Sequence, residues 1–237
     1  MIHVLIPTYL QRGYGPQYLS RLLASLQAQK GVDFHVWISD NDNTGAIKKV
    51  VDKYHFDRLT YEYNPVCGAS ENINNVIRMV EEVYLEISLS TVINAPKMKL
   101  MCMDDLFMQP DALFLFYDAL QHSGPHGWVI SNSVVINSRD AIKKNVTARF
   151  EKYIFSKNTV GMPSCIAWKH TLGLRFDPNL KTFCDTDFYH QLYRLYGDPI
   201  HNQKYLIGQR YHPHSQSRNQ QGTHERDAAI LKQRYGL

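Results

Sequence analysis

The sequence predicts an α/β fold: a mostly parallel sheet flanked by helices, followed by a less regular C-terminal half. Short apolar runs alternate with segments whose apolar residues recur at helical spacing. A polar or acidic cluster follows the end of most of those runs. Of 237 residues, 44% are hydrophobic and 20% charged, which suits one domain with a sizeable core and excludes a disordered or collagen-like chain.

The elements follow in order. Residues 3–6 are an apolar run stopped by Pro7, a buried strand ending in a loop. The loop carries Gly13 and Gly15, and Pro16 suits the first turn of a helix whose stripe is Leu19, Leu22, Leu23 and Leu26, with Gly31 at its end. Residues 34–39 form a second strand, halted by the turn cluster 40–45. A helix over 46–54 and an alternating strand over 59–63 come next. Ser70 can cap a helix striped by Ile73, Val76, Ile77, Val80 and Val83. A fourth strand, 99–103, runs into Asp104-Asp105, and Pro110 starts another helix. This βα alternation implies a parallel sheet with helices on both faces. Beyond residue 120 the pattern is weaker: a strand-like run over 128–136, a helix over 185–196, and a polar tail after Gly208.

Composition excludes several functions. A net charge of +4, a pI near 8.8 and scattered Lys and Arg do not describe a nucleic-acid-binding protein. Cys67, Cys102, Cys165 and Cys184 form no CxxC pair, so a zinc or redox motif has no support. The N-terminal apolar run is too short for a signal peptide, and no stretch reaches the length of a membrane helix. Reduced thiols without a targeting signal predict a cytoplasmic location. Asn145-Val146-Thr147 matches a glycosylation acceptor, which matters only in a secreted chain.

Ligands of open parallel sheets bind beyond the carboxyl ends of the strands. Pro7-Thr8, Asp40, the loop 64–72 with Asn72, and Asp104-Asp105 all reach that edge. Adjacent carboxylates after an apolar strand repel each other unless a positive charge sits nearby. A hard divalent cation such as Mg²⁺ or Mn²⁺ resolves the conflict and leaves places for phosphate oxygens. The competing reading is an acidic turn favoured by the dipole of the following helix. Asp185, before a helix, reads from the residues alone as an N-cap.

In order and spacing these segments resemble the nucleotide-sugar half of GT-A (Rossmann-like) glycosyltransferases, with glycosyltransferase family 2 the best match. The downstream segments Gly161-Met162-Pro163-Ser164, Phe176-Asp177 and Cys184-Asp185-Thr186-Asp187 extend the resemblance over residues 2–215. The chain departs from the family pattern at Leu106, Glu71 and Cys184. The resemblance implies a nucleotide-sugar half at 1–120, an acceptor half at 121–215 and a tail at 216–237. It also implies an inverting, metal-dependent transfer from a nucleotide-diphosphate sugar, with UDP as the expected nucleotide, to a hydroxyl of a glycan or other acceptor. Pro7 and Thr8 would line the base pocket, Asp40 would bond the base, and Asn72 belongs to the donor loop. Asp104 would contact the ribose or the metal's water shell, and Asp105 would ligate Mn²⁺ or Mg²⁺. His214 fits a metal or diphosphate role better than His212. Arg210 and Arg218 can pair with phosphate, and Asp185 would be the general base. Two other readings stay open: a nucleotide-sugar-binding module without activity, favoured by Leu106 and Cys184, and a sugar nucleotidyltransferase. The second lacks the Gly-rich basic loop expected after its first strand.

Overall fold

A computed structural model describes residues 1–87, 95–152, 157–212 and 221–236. The N-terminal half alternates as read: β1 (Ile2–Thr8), α1 (Gly15–Gln27), β2 (Phe34–Asp40), α2 (Ala46–Val51), β3 (Leu59–Tyr63), α3 (Ala69–Ile87), β4 (Lys97–Leu100), the two-residue β5 (Leu106–Phe107) and α4 (Ala112–Gln121). Then follow β6 (Trp128–Ile136), β7 (Ile142–Val146), β8 (Ile166–Lys169), α5 (Cys184–Tyr196), β9 (Ile200–Arg210) and α6 (His224–Tyr235).

One nine-stranded sheet runs β3-β2-β1-β4-β8-β6-β9-β5, with β7 pairing β6. The strands β3, β2, β1 and β4 are parallel, as βαβ crossovers require. The strand β8 is antiparallel to both β4 and β6, whereas β6 and β9 are parallel. The period-2 pattern of each strand divides the core in two. Val4, Ile6, Val36 and Ile38 pack with the apolar stripes of α1, α2 and α4 on one face. Leu5 and Trp37 face the other way, onto α3 and α5 with Trp128 and Trp168. Trp168 is thus a core residue and stacks on no ligand.

Three sequence expectations need correction. The fourth strand does not run into Asp104. Pairing ends at Leu100, and the N–H of Cys102 donates to Ser164 Oγ at 2.8 Å, so the chain leaves the ladder before the acidic pair. Met101, Cys102 and Met103 are apolar because they are packed, not because they are strand. Secondly, the helix near Pro110 starts two residues later, and Pro110 uses its carbonyl to accept the N–H of Lys30 at 2.7 Å. Thirdly, the segment after Gly208 is not simply a loose tail. The strand β9 extends to Arg210, and α6 docks through Leu231 onto Leu180 and Phe183.

Gly15 is required where it stands. A Cβ there would lie 2.3 Å from the carbonyl oxygen of Tyr9 and 2.9 Å from that of Leu10. The 3₁₀ turn folds back onto the start of α1 at this point, so no larger residue fits. Among the described residues no helix is long and apolar enough to cross a membrane.

Candidate functional site

A cavity of about 550 Å³ opens at the carboxyl edge of the parallel strands. Pro7, Asn72, Asp104, Asp185 and Arg210 line it together. Residues from both halves of the chain, from Pro7 to Arg210, thus meet at one place. Thr8, Asp40 and Asp105 lie behind the wall and do not line it. His214 and Arg218 fall outside the described residues.

The end of β2 shows why Asp40 is withdrawn. Its Oδ1 accepts the Thr8 hydroxyl and the N–H of Asp42, both at 2.9 Å, and its Oδ2 accepts the Tyr61 hydroxyl at 2.6 Å. Burial raises the Asp40 pKa against the pull of these three donors. The neighbouring side chain that reaches the cavity is Asn41, whose amide donates to the carbonyls of Asn64 at 2.7 Å and Val66 at 2.9 Å. Asn72 works as a latch. Its amide donates to Thr8 O at 2.9 Å while its oxygen accepts from Ser39 Oγ at 2.6 Å. The ends of β1 and β2 are therefore tied to the first turn of α3.

The acidic pair splits into two environments. Asp104 presents its carboxylate to the cavity, and Oδ2 accepts from His212 Nε2 at 2.9 Å and Gln11 Nε2 at 3.4 Å. The ring of His212 lies 5.0 Å from that of Tyr18. The histidine that meets the acidic pair among the described residues is therefore His212. Asp105 is 1% exposed. Its Oδ1 accepts the N–H of Arg210 at 3.0 Å, and Oδ2 has no hydrogen-bond partner among the described residues. Burial, with the charge of Asp104 beside it, pushes the Asp105 pKa upward. Deeper still, the buried ammonium of Lys99 donates to the carbonyls of Leu100, Ser164 and Ile166, and desolvation lowers its pKa to about 7.

Arg210 lines the cavity, but its guanidinium is committed to the protein. Nε donates to Asp104 O at 2.9 Å, Nη1 to Asn137 O at 2.8 Å, and Nη2 lies 2.6 Å from Asp140 Oδ1. The fork braces the turn that presents Asp104, a use that a lysine could not reproduce.

Asp185 lines the same cavity from the start of α5. Phe183 occupies the N-cap of α5, so Asp185 lies in the first turn and is not the cap. Its Oδ1 accepts the N–H of Thr186 at 2.7 Å, and Oδ2 accepts Asn158 Nδ2 at 2.6 Å. Burial raises its pKa to about 6 against these donors. Asp187 is fully buried, bonded to Gln191, Arg234 and Tyr235 at 2.8–2.9 Å, and so is structural.

The segment leading to Asp185 is held from outside. Asp227 of α6 is 0% exposed, and its Oδ2 accepts the N–H groups of Lys181 and Thr182, each at 2.7 Å. Lys181 and Thr182 both line the cavity. Asp227→Ala leaves two partly buried N–H groups without their charged acceptor and should lower stability by roughly 1–3 kcal/mol. Chemical denaturation checks this; a loss below about 0.5 kcal/mol, the scale of an ordinary surface change, would show that other contacts hold the segment.

The residues suit a shared cation site better than a protein cage. Among the described residues no group of three or more His, Cys, Asp or Glu side chains is placed to hold a metal. Mg²⁺-type sites beside phosphates commonly use one or two carboxylates, the ligand supplying the rest. Asp104 on the wall and the unpartnered Oδ2 of Asp105 behind it fit that pattern.

Comparison with known proteins agrees with this architecture. Residues 3–87 match the model for glycosyl transferase family 2. No curated protein matches the sequence. Among solved structures, S. aureus TarS superposes with a TM-score of 0.63 at 15% identity, over 90% of this chain and 37% of that one. The crystal structure of S. aureus TarS 1–349 gives 0.60 at 16% identity, over 88% of this chain and 60% of that one. This chain therefore spans less than two thirds of the length of either. The chain has the α/β fold of GT-A glycosyltransferases, and its first 87 residues carry the match to glycosyl transferase family 2.

Proposed function

We propose that this chain is an inverting glycosyltransferase that moves a sugar from a nucleotide-diphosphate donor, with UDP the expected nucleotide, to an acceptor hydroxyl. The observation that carries this reading is that Asp104 and Asp185, one from each half of the chain, line one cavity. Pro7, Asn41 and Asn72 edge the donor side, and Asp104 with Asp105 would hold Mn²⁺ or Mg²⁺. When bound, such a cation offsets negative charge on the leaving diphosphate.

Asp185 accepts the proton of the acceptor hydroxyl as that oxygen bonds to the anomeric carbon. The bond from that carbon to the diphosphate oxygen breaks, and its electron pair leaves with the nucleotide. A carboxylate with a pKa near 6 is mostly ionised at neutral pH yet more basic than an ordinary aspartate, as a general base needs.

The pH dependence follows from the sign of that shift. Asp185 accepts a proton only when ionised, so kcat/KM should be level above pH 7 and fall about tenfold per unit below pH about 6. Release of nucleoside diphosphate from UDP-, GDP- and dTDP-sugars, with water or a supplied glycan as acceptor, measures this. A flat profile between pH 5 and about 8 would remove Asp185 from the proton-transfer step.

A further inference from the structure

Asn158 lies on the loop between β7 and β8, 27 residues before Asp185, and every polar atom of its amide is used. Its Oδ1 accepts the N–H groups of Val160 at 3.0 Å and Gly161 at 2.9 Å, closing a tight turn around itself. Its Nδ2 donates to Gly161 O at 2.8 Å and to Asp185 Oδ2 at 2.6 Å. The turn needs Gly161, whose φ of +106° is a conformation that side-chain-bearing residues rarely adopt. Gly161 O is fixed in turn by the Tyr189 hydroxyl at 2.9 Å, one helical turn beyond Asp185. The amide is thus locked before it meets the carboxylate, so it can set where that carboxylate points.

We propose that Asn158 is a positioning residue that orients the Asp185 carboxylate in the cavity and favours its ionised form. The inference rests on the reading of Asp185 as the base. Asp185 has two oxygens and two firm donors: the Thr186 N–H fixes Oδ1 from its own helix, and Asn158 fixes Oδ2 from a separate element. The titratable groups around it are the Cys184 thiol and the Tyr189 phenol on α5, with Cys165 beyond Tyr189. Both α5 groups are pushed upward by burial and then by the charge of Asp185, so both stay neutral at working pH. Among the described residues Asn158 is the side chain outside α5 seen to hydrogen-bond the Asp185 carboxylate. A donor to a carboxylate lowers its pKa, and losing that donor raises it.

The test compares Asn158→Ala and Asn158→Asp with wild type. Asn158→Asp keeps an acceptor for the Val160 and Gly161 N–H groups but loses the donor and adds a like charge. Titration of the Asp185 carboxyl carbon by ¹³C NMR, assigned by its disappearance in Asp185→Asn, should move upward by about one pH unit in Asn158→Ala and further in Asn158→Asp. The acid limb of nucleoside-diphosphate release from UDP-sugars should move with it. An unchanged Asp185 titration in folded Asn158→Asp overturns the inference, even if activity falls evenly at every pH. The underlying reading fails separately: Asp185→Asn with wild-type turnover removes the base, whatever the NMR titration shows of Asn158.

Discussion

Asp185→Asn should reduce sugar transfer by about 10²–10⁴-fold, the usual contribution of a positioned general base. The substitution keeps the shape of the side chain and an oxygen to accept the Thr186 N–H, so α5 should start as before. It removes the ability to take a proton, and with it the oxygen that accepts Asn158 Nδ2. Donor affinity should be unchanged, because the proposed base acts on the acceptor hydroxyl and not on the diphosphate. The loss should therefore appear in kcat with KM for the donor unaffected. Steady-state release of nucleoside diphosphate, together with the melting temperature of the variant, measures both. Wild-type turnover in a folded Asp185→Asn protein would refute the assignment.

Asp104→Ala should produce the complementary result. Asp104 is the carboxylate of the acidic pair that faces the cavity, held there by His212 and by the Arg210 brace on its carbonyl. Its removal should cost about 10²–10³-fold in rate, similar to losing one charge-stabilising group from a transition-state site. The response to added Mn²⁺ should vanish with it. The fold should tolerate the change, since Asp104 is partly exposed and its partners Gln11 and His212 keep their contact with each other at 3.0 Å. A variant that still binds UDP in a Mn²⁺-dependent manner would move the cation to Asp105 alone. Asp105→Ala cannot serve as the first test, because Asp105 is buried and bonded to the Arg210 backbone, so folding and binding would change together.

The N-terminal half was legible because its signals are local. Each strand is an apolar run, each helix a stripe, and each loop a polar cluster; Asp104 follows such a run, and Asp185 opens a helix of the second half. The acidic pair shows the limit. Sequence placed Asp105 on the metal and Asp104 beside it, yet which of two adjacent carboxylates faces the cavity depends on a turn held by Ser164, sixty residues downstream. His212 and His214 posed the same problem, and the contact of His212 with Asp104 spans 108 residues. The strand β9 was hidden because residues 200–205 are mostly exposed and polar, with Leu206 and Ile207 the apolar pair inside it. The helix α6 left faint traces: Leu231 and Tyr235 at helical spacing, and Gly236 with φ +73° closing the helix. Asn158 and Asp227 gave none, since a lone Asn or Asp in an irregular segment looks the same whether it holds an active carboxylate or a surface turn.

If the cavity holds a nucleotide-diphosphate donor, a nucleoside diphosphate should stabilise the folded protein, which a thermal-shift experiment reads out. Wild-type protein is melted with UDP, GDP or dTDP, each with and without Mn²⁺. A ligand that binds only the folded state at 100 times its Kd adds about 2.7 kcal/mol of stability. The account predicts a rise in melting temperature with one nucleotide, UDP foremost, that requires Mn²⁺ and is lost in Asp104→Ala. No rise with any nucleoside diphosphate, with or without Mn²⁺, would contradict it.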